Sequence, residues 1–200
     1  MRVQSAIQPA FRDAVREAQT VFRLAMRALG SPGQIVQLDA PLAPPAPLLA
    51  PAGALLLTLC DFETPVWLDP ALADSPEVTA FLRFHTGARL AASPSDAAFA
   101  VIADTARMPA LSTFAQGTPD YPDRSTTVIL QVESLTPTGW TLEGPGIRGT
   151  ARFSAMPLSA DFATQMRANR AAFPRGVDIF FATRTLLAAL PRSTRLTEAT

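Results

Sequence analysis

Apolar side chains at Phe11, Val15, Ala18, Phe22, Ala25, Met26 and Leu29 recur in steps of three and four. That spacing predicts one apolar face of a long amphipathic helix over 8–29. Gly30 stands where a C-terminal cap belongs, and Ser31-Pro32-Gly33 ends the helix. Residues 34–38 alternate enough for a short strand. Five prolines (Pro41, Pro44, Pro45, Pro47 and Pro51) make 39–51 a linker without regular structure until its end. Pro51 is placed to open a helix through the apolar run 52–60, which has no polar face and predicts burial on all sides.

Residues 64–68 (TPVWL) predict a strand entered through proline. Ser75-Pro76-Glu77 carries the N-cap, first-turn proline and first-turn acid of a helix that runs to Thr86 and stops at Gly87. Further strands are expected at 99–103, 126–133, 140–143, 150–155 and 177–183. A short helix is expected at 108–115 and a longer one at 160–171, with a loop at 117–123 and a turn-like tail, LPRST. Interleaved strands and helices predict a single α/β domain over 1–200, with the proline-rich segment internal. The hairpin-like spacing of 126–155 predicts a mixed rather than wholly parallel sheet.

Composition narrows the chemistry. Among 200 residues there are one histidine, His85, and one cysteine, Cys60, while all 17 basic residues are arginine and balance 17 acidic ones. A lone histidine cannot form a multi-histidine metal site, and a chain without lysine cannot hold a Schiff-base cofactor. Balanced charge gives no drive toward nucleic acid or an anionic membrane. No apolar run reaches the roughly 18 to 20 residues of a membrane span. The N-terminal sequence lacks a signal-peptide core, so a soluble, cytoplasmic protein is expected. At 48% apolar and 17% charged residues, part of the surface is expected to be covered by another chain.

His85 falls in the last turn of the 76–86 helix, where the helix dipole favours a protonated ring. It reads either as a cap for terminal carbonyls, the commoner use, or as a ligand contact with neighbouring Arg83. The segment 144–150 (GPGIRGT) offers glycines, Arg148 and a hydroxyl as a phosphate cradle would, but lacks lysine and a following helix, and so reads first as a turn. In FPRGVD (173–178), Arg175 and Asp178 read as turn-locking groups. Cys60, ending a buried run, reads as a small hydrophobe rather than a nucleophile. Asp61 and Glu63 lie too close in sequence to argue for a glycosidase-type pair.

Taken together, QTVFRLAMRALGSPG (19–33), LLLTLCDFETPVWLD (55–69), FLRFHTGA (81–88), FAVIAD (99–104), TVILQVESL (127–135), LEGPGI (142–147), FPRGVDIFF (173–181) and LPRST (190–194) resemble, in order, the PhnH family, a component of the bacterial carbon–phosphorus lyase core complex. The resemblance implies a three-layer α/β sandwich with a mixed sheet, similar to the pyridoxal-phosphate-dependent transferase fold but without that cofactor. It also implies a place beside subunits G, I and J in a transferase of the alpha-D-ribose 1-methylphosphonate 5-triphosphate synthase type, which exchanges the adenine of ATP for a phosphonate at ribose C1. It brings no catalytic residue and no cofactor. The leading expectation is therefore an accessory, interface-forming subunit, with a homodimer in isolation. The alternative is direct binding of phosphonate or nucleotide phosphate by Arg83, His85 and Arg148, the guanidinium forks of the two arginines suiting phosphate oxygens.

Overall fold

The computed structural model describes residues 9–40 and 42–197; the first eight residues, Pro41 and the last three lie outside the described residues. The elements in chain order are α1 (Ala14–Gly30), β1 (Val36–Gln37), α2 (Ala50–Leu59), β2 (Val66–Leu68), α3 (Pro70–Ala73), α4 (Pro76–Thr86), β3 (Phe99–Ile102), β4 (Thr127–Gln131), β5 (Ser134–Glu143), β6 (Ala151–Met156), α5 (Phe162–Ala171), β7 (Asp178–Ala182), β8 (Leu186–Leu190) and β9 (Arg195–Thr197). Single 3-10 turns cover Pro94–Asp96, Thr105–Arg107 and Leu111–Thr113.

The main sheet has six strands in the order β1-β8-β7-β4-β3-β2. β2, β3, β4 and β7 are parallel neighbours, while β8 runs antiparallel to both β7 and β1. The sheet is thus mixed, though not for the reason the sequence suggested. The β5–β6 hairpin pairs antiparallel in a separate three-stranded sheet, β6-β5-β9. The mixing comes from β8, whose run LLAAL (186–190) gave no strand signal in the sequence, and neither did β9. Five apolar residues carry no periodicity of their own; a return turn after β7, tied by the Thr183 hydroxyl accepting from Leu186 N at 3.0 Å, makes them a strand.

Both faces of the main sheet are buried, which is why its strands read as unbroken apolar runs. Val101, Ile129, Phe180, Ala182, Leu187 and Ala189 face one core with Val21, Ala25, Leu55, Leu56, Phe81 and Leu82 of the helices. Ala100, Val128, Leu130, Ile179, Phe181 and Leu190 face a second core with Leu142 and Phe153 of the small sheet and Phe162 and Met166 of α5. Helices cover one side of the sheet, and α5 with the small sheet covers the other.

Local signals set several helices. Ser75 accepts from Val78 N at 3.3 Å, and Gly87, at φ 69°, donates its N–H to Arg83 O. Pro51 opens α2, whose residues 51–56 are all buried between α1, α4 and the sheet. The short α3, capped by Asp69, was not foreseen.

In α1 the covered stripe overlaps the expected face only in part: Ala25 is buried and Phe11 and Leu29 pack against the core, but the rest of the stripe is turned. The buried stripe is Val21, Ala25 and Ala28, while Val15, Phe22 and Met26 stand 68%, 47% and 41% exposed. Alanines at 25 and 28 let α1 approach α2 and β8 closely, and a Phe or Met stripe would hold it off. The expected 108–115 helix is a single 3-10 turn, and the 140–143 strand is the second half of a longer β5. That strand is interrupted by a register shift between Thr136 and Trp140, where Pro137 and Gly139 sit.

Candidate functional site

Arg83 and His85 project from the last turn of α4. The imidazole meets Phe81 and Phe84 edge-on, with ring centroids 4.6 Å and 4.9 Å apart. Arg83 is exposed, and Phe84 is 67% exposed. Phe62, 69% exposed, lies against Gly87, so two bare aromatic rings flank the end of this helix. Phe62 is presented by a tight turn in which Asp61 accepts from Glu63 N at 2.9 Å and from the Thr64 hydroxyl at 2.7 Å.

Those bonds, the Thr64 hydroxyl foremost, lower the Asp61 pKa below its ordinary 3.8. A carboxylate depressed in the folded state stabilises the turn above the unfolded pKa. That contribution fades as pH falls through the lower folded value. A carbonyl-carbon NMR titration should find Asp61 half-protonated below pH 3.8, whereas a midpoint at or above 3.8 would contradict the hydrogen-bonded turn.

Arg148 is in a different place. The 144–150 turn is a glycine turn, as its sequence suggested, with Gly144, Gly146 and Gly149 all at positive φ. It packs against the end of α1, where a side chain at Gly146 would collide with the Gly30 carbonyl. Arg148 lines a shallow recess there with Ser31, Pro32, Gly33 and Gln34. Gly33 continues into the sheet through a bond to Ala189 of β8. Beyond α4, by contrast, Leu90 bridges to Val66 of β2. Arg83 with His85 and Arg148 therefore lie toward opposite edges of the main sheet and do not converge.

The segment FPRGVD is an internal lock. Asn169 clasps both backbone groups of Val177, accepting from its N at 2.8 Å and donating to its O at 2.9 Å. Asp178 binds Arg192 of LPRST through Nε at 3.1 Å and Nη2 at 2.6 Å, and Arg175 is exposed. Cys60 is buried, and desolvation first, then the Asp61 carboxylate, pushes its thiol pKa far up, which leaves it protonated and inert. Among the described residues no three His, Cys, Asp or Glu side chains are grouped closely enough to hold a metal ion, and no helix is long and apolar enough to cross a membrane.

A crevice of about 590 Å³ gave no signal in the sequence. It opens at the carboxyl ends of β3, β4 and β7, with Ala103, Gln131, Val132, Glu133, Ser134, Leu135 and the turn 183–186 around it. The buried Gln131 amide donates to Pro47 O at 3.0 Å and accepts from Leu49 N at 2.6 Å, which fixes the proline-rich linker as one wall. The signal that would have found the crevice is positional: the residues just after each parallel strand are where open α/β sheets bind ligands.

Together these features define an α/β protein with dispersed reactive groups, bare aromatic rings at its surface and a crevice at its strand ends. The chain belongs to the PhnH family: the family model described as "Bacterial phosphonate metabolism protein (PhnH)" matches residues 9–197. It is 44% identical over 199 residues to the alpha-D-ribose 1-methylphosphonate 5-triphosphate synthase subunit PhnH of Rhizobium meliloti (strain 1021), covering 98% of both chains.

Proposed function

We propose that this chain is an accessory, interface-forming subunit of the carbon–phosphorus lyase complex in phosphonate catabolism, working as one α/β unit in the cytoplasm. It supports transfer of a phosphonate to ribose C1 of ATP with release of adenine, beside subunits G, I and J, and pairs with itself when isolated. Its mixed sheet with two covering layers is read as a transferase-type fold of the pyridoxal-phosphate class that works without the cofactor, since no lysine is available to hold it. The observation that carries the accessory reading is the placement of the reactive side chains. His85 is packed between two phenylalanines, Cys60 is buried and protonated, and the arginines stand apart, while Phe22, Met26, Phe62 and Phe84 are turned outward.

Exposed aromatic clusters of this kind are characteristic of surfaces that another chain covers. Co-purification with tagged subunits G, I and J tests the proposal, and a folded chain that never associates with them would overturn it. Phe22→Ser on α1 and Phe84→Ser on α4 change exposed side chains and should leave the fold intact. At least one is expected to weaken association about tenfold or more, which corresponds to about 1.4 kcal/mol. Wild-type association by both variants would remove the two apolar patches as docking surfaces. Direct phosphate binding by Arg83, His85 and Arg148 as a single site has less support, because α4 and the 144–150 turn lie toward opposite edges of the sheet. His85→Asn with unchanged pathway activity would remove it for the histidine.

A further inference from the structure

We infer that the crevice at the carboxyl ends of β3, β4 and β7 is a binding site for a small oxyanion on a hydroxyl-bearing body, with Arg184 taking the anion and Glu133 the hydroxyls. The inference rests on the geometry of this crevice alone and is independent of how the chain assembles with partners.

The crevice is made by a divergence of the chain. β4 and β7 are paired in register up to Gln131 and Ala182, and Val132 N still bonds Ala182 O at 2.9 Å. There the two strands part. After β4 the chain crosses into the small sheet, where Glu133 N bonds Met156 O at 2.8 Å. After β7 it turns back into β8. Two neighbouring parallel strands whose continuations leave in different directions open a gap at their carboxyl ends, the place where α/β sheets most often hold ligands. A volume near 590 Å³ lies within the roughly 300–1,000 Å³ range of small-molecule sites.

The walls are held without the groups assigned to the ligand. Gln131 uses both its amide oxygen and its amide nitrogen to tie down Leu49 and Pro47. The Thr183 hydroxyl accepts from Thr185 N at 3.3 Å and Leu186 N at 3.0 Å, so the β7–β8 turn needs nothing from Arg184. Pro47, Leu49, Val132, Leu135 and Leu186 give an apolar lining against which a ligand body can rest.

Among the described residues, the Arg184 guanidinium and the Glu133 carboxylate have no hydrogen-bond or ion-pair partner. Each follows the last paired residue of its strand by two positions, so the two charges stand just beyond the ends of adjacent strands, at the crevice. A guanidinium fork matches the oxygens of a phosphate, phosphonate or carboxylate. A carboxylate beside it would repel a bare anion, and its acceptor oxygens suit hydroxyls instead. The pair therefore selects an oxyanion with a hydroxylated body over either part alone.

The test is an amide-shift NMR titration of the full chain with ribose 5-phosphate, gluconate and inorganic phosphate. Saturable shifts at Ala103, 131–135 and 183–186 are expected with ribose 5-phosphate or gluconate. The tighter of those two identifies the oxyanion as phosphate or carboxylate. Arg184→Gln, at an exposed position, should weaken binding of the tighter ligand about tenfold or more, and Glu133→Gln should weaken it while the fold stays unchanged. The inference falls if neither ligand shifts these residues, if Arg184→Gln binds as the parent does, or if inorganic phosphate binds as tightly as the hydroxylated ligands.

Discussion

Arg192→Ala is expected to destabilise this protein by about 2–4 kcal/mol, somewhat less than the roughly 3–5 kcal/mol of a fully buried ion pair that loses one partner. The side chains of Arg192 and Asp178 are only 13% and 25% exposed, so solvent screens the pair weakly. Asp178 begins β7, the strand between β4 and β8, and its carboxylate also accepts the Arg192 backbone N–H at 2.8 Å. The guanidinium reaches further, to Pro122 O at 2.6 Å and to the Ser125 hydroxyl, and so ties the 117–125 loop to the start of the strand. Alanine would leave the Asp178 carboxylate half-buried with only a backbone partner. It would also strip the Pro122 carbonyl of its donor. Arg192→Lys should recover only part of the loss, since an ammonium cannot serve a carboxylate, a carbonyl and a hydroxyl from one planar fork. Urea unfolding measures this directly, as a lower midpoint with an unchanged slope. An Arg192→Ala midpoint equal to the parent's would show that the pair only decorates the loop.

Phe181→Ala should cost about 3–5 kcal/mol by a different route, loss of transfer free energy plus the cavity left behind. Phe181 is fully buried, and its ring lies 5.2 Å from Phe153 of β6 and 5.9 Å from Phe162 at the start of α5. This three-ring cluster is where the main sheet, the small sheet and α5 meet, so the cavity would open between layers. Each layer is held by its own hydrogen bonds and cannot collapse inward to fill it. Phe181→Leu keeps most of the volume and should cost less than half as much. Thermal and urea unfolding of the two variants separate the cases. Equal losses for Leu and Ala would mean that ring geometry, and not volume, holds the layers together.

The parts of the fold legible in the sequence are those set by local chemistry. The Ser75–Gly87 helix was readable end to end, because its cap, first-turn proline and left-handed stop act within a few residues of one another. The burial of α2 was legible for a related reason: a ten-residue helix without a polar side has nowhere to lie but inside. The β3, β4 and β7 strands announced themselves as apolar runs covered on both faces. The separation of β5 and β6 into their own sheet was not legible, since a hairpin pairs identically whether or not it joins a larger sheet. β8 and β9 were hidden because short apolar or alternating segments become strands only when a partner edge is available. In α1 the apolar residues span two adjoining stripes, and only the approach of α2 and β8 decides which one is covered.

The candidate residues divide in the same way. Arg83, His85 and Arg148 drew attention because they stand in conspicuous sequence surroundings, a helix end and a glycine turn. Arg184 and Glu133 stand in ordinary ones, and they share a crevice because two strands far apart in sequence end side by side. The sequence by itself determined the chemical inventory, the limits of α4, the α/β class and the family, since each follows from residue identity and local spacing. The tertiary structure alone decided which faces are covered, which arginines find partners and where a crevice opens. Those outcomes depend on distances between segments that the chain brings together only when the sheet closes.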